Sequence, residues 1–130
     1  MRRLLWAGPV AAVGAAVANA VVFLVASGIG AIPGDVLIPN AGAPLSLGMV
    51  AFSSAVPAIP AAVAFAAMGR FSRRPVRVFG VVTAVVLLLS FVTPFTVPGA
   101  PLAMILSMEF MHVVAAGVIF YALTTLGRAG

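Results

Sequence analysis

Four apolar runs, separated by stretches of turn residues and arginine, take up nearly the whole chain. They cover about residues 4–28, 47–68, 77–93 and 102–126. A helix needs roughly 20 apolar residues, within a range of about 17–25, to cross the hydrocarbon core of a bilayer. All four runs meet that requirement. The pattern predicts an all-α fold: an integral membrane four-helix bundle in which residues 1–130 form a single membrane domain.

The first run carries small residues at every third or fourth position, among them Gly8, Ala11, Ala15 and Ala18, which suits close helix packing. Arg2-Arg3 followed by Ala18-Asn19-Ala20 resembles a cleavable signal. The apolar run continues past Ala20 through Val21-Val22-Phe23-Leu24-Val25, whereas a signal core spans only about 7–15 residues before polar sequence follows. An uncleaved first span is expected. In the second run Pro57 and Pro60 predict a helix kink, since each removes a backbone donor. The connector over 29–46 is rich in Gly and Pro and reads as a loop, with a re-entrant element as the less favoured alternative. Residues 93–101 read as a brief uncharged turn.

Polar positions inside the runs are few. Glu109 and His112 stand at i and i+3 in the fourth run and share a helix face. An ionisable residue within a membrane span is costly and therefore a candidate for function. At about 1.5 Å per residue, Asn19, Ser53, Ser54, Glu109 and His112 fall within about two helical turns of one depth. Thr83 can join them from the third run. This layer is expected to be either a hydrogen-bonded clasp between helices or a proton-linked or ligand-binding site.

Composition strengthens the membrane reading. Only 7% of residues are charged and 64% are hydrophobic, against roughly 25% charged in a soluble domain. The net charge of +5 comes from arginines in short clusters: Arg2 and Arg3, then Arg70, Arg73, Arg74 and Arg77, then Arg128. Clusters of this kind beside apolar runs set topology by the positive-inside bias, with a secondary attraction to lipid headgroups, and do not indicate nucleic acid. With four spans, all three clusters fall on one side, so both termini are expected to be cytoplasmic. The chain has no cysteine, which removes disulfides, thiol catalysis and thiolate metal sites. Glu-x-x-His suits di-metal bundles only when several helices each add a carboxylate, and this chain offers one. No metal or other cofactor is expected. Neither a Ser-His-Asp set nor a glycine-rich phosphate loop stands out.

Five stretches together carry a resemblance: the small-residue first run bearing Asn19, Val56-Pro57-Ala58, Arg73-Arg74-Pro75, Leu87-Leu88-Leu89-Ser90, and Met111-His112-Val113-Val114-Ala115-Ala116. On these the chain resembles a family of small bacterial four-span membrane proteins grouped as a domain of unknown function. The resemblance implies a four-helix architecture to which Asn19, Pro57 and His112 matter, and it implies no activity.

The functional expectation is a multi-pass protein of the bacterial inner (cytoplasmic) membrane, in contact with the lipid bilayer. It is read as a non-enzymatic packing, scaffold or accessory subunit, working as a homo-oligomer or beside a larger membrane partner. The alternative is a small proton-coupled transporter or ligand-binding protein that uses Glu109 and His112, with Asn19 as their orienting partner.

Overall fold

A computed structural model describes residues 2–39 and 41–127. Helix α1, Arg2–Gly28, runs unbroken through Pro9. It ends where Gly30 takes the left-handed backbone (φ 80°). There the Gly30 N–H donates to Ser27 O and the Ala31 N–H to Ala26 O, so two terminal carbonyls are satisfied by the turn itself. The connector that follows holds a two-stranded antiparallel hairpin, β1 (Leu37–Ile38) and β2 (Ala43–Pro44), where the sequence predicted only turns. Gly42 closes it with φ 63°, a conformation that favours glycine.

Helix α2, Leu47–Ala55, starts at Ser46, whose hydroxyl accepts from the Met49 N–H at 3.3 Å. Then come α3 (Ala58–Phe71), α4 (Pro75–Ser90), the short α5 (Val92–Phe95) and α6 (Leu102–Leu126). Four segments, Arg3–Gly28, Leu47–Phe71, Pro75–Phe95 and Leu102–Leu126, are long and apolar enough to cross a membrane. The chain is therefore an all-α integral membrane four-helix bundle.

The second and third spans run further than the sequence suggested, to Phe71 instead of 68 and from Pro75 instead of 77. Arg70 extends α3 because a basic side chain in a last turn complements the helix dipole. Pro75 opens α4 at a position whose N–H would have no partner in any case.

The second span is interrupted at Val56–Pro57, between α2 and α3. Pro57 has no N–H to offer the carbonyl four residues back, and the chain tightens locally so that the Ile59 N–H donates to Val56 O. Regular bonding resumes with the Ala61 N–H on Pro57 O. Pro60 causes no second break because it lies in the first turn of α3, where N–H groups lack helical partners.

Helix α1 is the central element. It packs along α6, α2 and α3, while α4 packs against α3 and α6. Its inward stripe is Ala7, Ala11 and Ala15, all fully buried, so the backbones come close. The stripe joins Phe65, Phe79, Ile119 and Leu123 in a core toward the end of the bundle that carries the N-terminus. There the Phe79 ring lies 5.0 Å from Phe65 and 5.7 Å from Phe120, and it is the one buried residue of α4. At the other end Val36 and Val97, from the two connectors, close over Met104. Outward positions such as Val13, Phe52, Ile59, Val85 and Leu89 are apolar and exposed, as a lipid-facing surface requires.

The closeness of α1 and α6 can be tested at two glycines. A Cβ on Gly14 would stand 3.0 Å from the Val118 side chain, whereas one on Gly117 meets nothing within 4 Å. Gly14→Leu is expected to destabilise the bundle by about 1–3 kcal/mol through overpacking. Gly117→Ala should fall within about 0.5 kcal/mol of the parent. Unfolding by SDS titration in mixed micelles measures both, and equal effects at the two sites would contradict the packing described.

Candidate functional site

Asn19 continues the Ala7–Ala11–Ala15 stripe one turn further, which carries a carboxamide into the middle of the bundle, 1% exposed. Its Nδ2 donates to Ser54 Oγ at 2.8 Å and to the Met111 carbonyl oxygen at 2.9 Å. A carbonyl only accepts, so this contact fixes which end of the amide is the NH2. One side chain thus ties α1 to α2 and α6. Ser54 is itself buried, in the last turn of α2 beside the Val56–Pro57 interruption. Asn19 Oδ1 is buried and has no hydrogen-bond partner.

The other members of the expected polar layer do not join this node. Ser53 is exposed, because one residue along a helix turns a side chain by about 100°. Glu109 lies two residues before Met111, roughly 200° around α6, so equal depth places it on a different face. It is half-buried, and its Oε1 is buried without a partner. His112 is half-buried, and its Nδ1 lies 2.6 Å from Met108 O, four residues back on the same helix. Since that carbonyl can only accept, Nδ1 carries the proton and spends it within α6 rather than on Glu109. Thr83 is half-buried on α4, outside the node.

Pro57 and Pro60 are both exposed on the second span. Arg3, Arg70, Arg73, Arg74 and Arg77 are exposed at the end of the bundle that holds the N-terminus and the α3–α4 link. Arg128 lies outside the described residues, as does the side chain of Arg2. Sequence reasoning missed two polar elements. One is the Met111 carbonyl, which has no residue-type signal. The other is Thr124, buried with its hydroxyl donating to Phe120 O at 2.7 Å in the usual manner of a helical threonine.

Two shallow grooves, of about 410 and 450 Å³, follow the outward seam of α1 and α6. Val10, Gly14, Gly117 and Tyr121 line one; Val21, Val25, Leu106 and Phe110 line the other. Asn19, Glu109 and His112 line neither. The chemistry of the node is therefore hydrogen bonding between helices: an amide held between a hydroxyl and a carbonyl.

Asn19 acts as a double donor, so replacing it removes contacts to two helices at once. Asn19→Ala is expected to cost about 1–2 kcal/mol and Ser54→Ala about 0.6 kcal/mol, the scale of interhelical hydrogen bonds in membranes. Asn19→Asp should cost more than Asn19→Ala, since it turns an oxygen toward the Met111 carbonyl, which can only accept. A double-mutant cycle over Asn19 and Ser54 in the same unfolding assay checks the pair. Full additivity would mean that the two do not interact.

No curated protein and no solved structure matches the chain. One family model does, over residues 1–129, nearly its full length. On that match, the chain belongs to the family of unknown function DUF6069.

Proposed function

We propose that the chain is a non-enzymatic accessory or packing subunit of the bacterial inner membrane, which works beside a second copy of itself or a larger membrane protein. The observation that carries this reading is the use made of Asn19. The buried amide is committed to joining three helices, with both N–H groups taken by the protein. Support also comes from the outward α1–α6 seam, where small Gly14 and Gly117 alternate with Val10, Val21 and Phe110 as on helices that pack against others.

Both termini are cytoplasmic in this reading. The exposed arginines gather at the end of the bundle where α1 begins, which is the side retained by the positive-inside bias. The absence of cysteine makes this directly testable. Gly34→Cys, in the hairpin connector, should react with a membrane-impermeant maleimide on intact spheroplasts. Ser72→Cys, in the α3–α4 link, should react only after permeabilisation. The reverse pattern would invert the topology.

A second reading rests on Glu109, whose buried and unpartnered Oε1 suits a site for a proton or another hydrogen-bond donor. One preparation decides between the two. The purified protein is examined by native mass spectrometry in several lipids and reconstituted into liposomes for proton flux. The packing reading expects oligomers or a co-purifying membrane protein, and flux no greater than in empty liposomes. A monomer in every lipid with no co-purifying membrane protein would end it, and flux abolished by Glu109→Gln and His112→Ala would put the second reading in its place.

A further inference from the structure

The charge of this protein is separated by the length of the bundle. Arg70 lies in the last turn of α3, Arg73 and Arg74 in the link, and Arg77 in the first turn of α4, all exposed. The Ser72 hydroxyl accepts from the Arg74 N–H at 3.1 Å and ties the link down as a tight turn. Four guanidiniums are thereby held within eight residues of one another at one corner. The only acids in the sequence are Asp35 and Glu109. Asp35 lies in the connector at the opposite end of the bundle, more than about 30 Å away for helices of this length. That is several times the Debye length of roughly 8 Å at physiological salt. Glu109 lies on α6 toward that same far end. Among the described residues, no Asp or Glu side chain lies at this end of the bundle.

Phe71 stands inside the cluster at 85% exposure, higher than any other large hydrophobic among the described residues. On the adjoining faces of α4, Val78 and Val81 are exposed as well. Guanidiniums flanking an exposed aromatic and an apolar helix face in one corner match a molecule with an anionic head and a hydrocarbon tail. A free phosphate would engage the arginines and leave Phe71 uncovered.

We propose that the corner formed by Arg70, Arg73, Arg74, Arg77 and Phe71 is a binding site for the phosphodiester headgroup of anionic phospholipids, with the lipid chains lying along α3 and α4. Guanidinium groups pair with phosphate oxygens in a two-pronged geometry that a zwitterionic headgroup weakens with its own cation.

The test uses the full chain in mild detergent, offered phosphatidylglycerol or phosphatidylcholine, with retained lipid counted by native mass spectrometry. The wild-type protein is expected to retain the anionic lipid at least about tenfold more strongly. Arg73→Gln with Arg74→Gln should reduce that preference by roughly tenfold to thirtyfold, given the attraction each basic residue adds near an anionic surface. Asp35→Asn should leave it unchanged. Equal retention of the two lipids by the wild-type protein would overturn the proposal, and that comparison needs no variant to fold. Two further results would also overturn it: a preference unaltered in a helical Arg73→Gln/Arg74→Gln protein, or displacement of the lipid by millimolar inorganic phosphate.

Discussion

A carboxamide inside an apolar bundle has to place its hydrogens somewhere, and in this protein that need organises the helices. In an apolar interior the Asn19 N–H groups need protein acceptors, and α2 and α6 each bring an oxygen to within hydrogen-bond reach of α1. The alanine stripe below makes this possible by letting the helix axes come close. The interruption of the second span falls immediately beyond Ser54, so the partner side chain sits at the end of a short independent helix. Packing and polarity thus act on the same three helices at neighbouring depths. The remaining helix, α4, is held differently, through the Phe65–Phe79–Phe120 rings that join it to α3 and α6.

The ends of the bundle differ as sharply as its middle and its surface. One end is an apolar cap of Val36, Val97 and Met104 beneath a connector whose only charge is Asp35. The other displays arginine. A protein with this little charge gains orientation from where its arginines are placed, since the helices between the ends are apolar on their outward faces and indifferent to direction.

Much of this was legible in the residues. The spans were readable because the bilayer sets a minimum length for apolar runs, and the break at Pro57 because proline has no donor. Asn19 stood out as a lone amide among small residues. Its partners were harder to read. Ser53 and Ser54 are neighbours in sequence, and only the packing decides that Ser54, one turn after buried Val50, faces α1. The Met111 carbonyl cannot be read from residue type because every residue has one. Glu109 and His112 share a face by spacing, yet the imidazole turns to the closer carbonyl of Met108, a competitor that sequence patterns do not show. The hairpin in the connector was hidden for a related reason: strands of two residues leave no periodicity to detect.

That α1 grips α6 through a backbone oxygen has an evolutionary corollary. The identity of residue 111 can drift among apolar side chains without loosening the hold of Asn19, because what is recognised is the path of the chain. Position 54 has less latitude, since the acceptor there is the side chain itself. Substitutions should therefore accumulate unequally across the two contacts of a single amide, with position 54 the more constrained of the two.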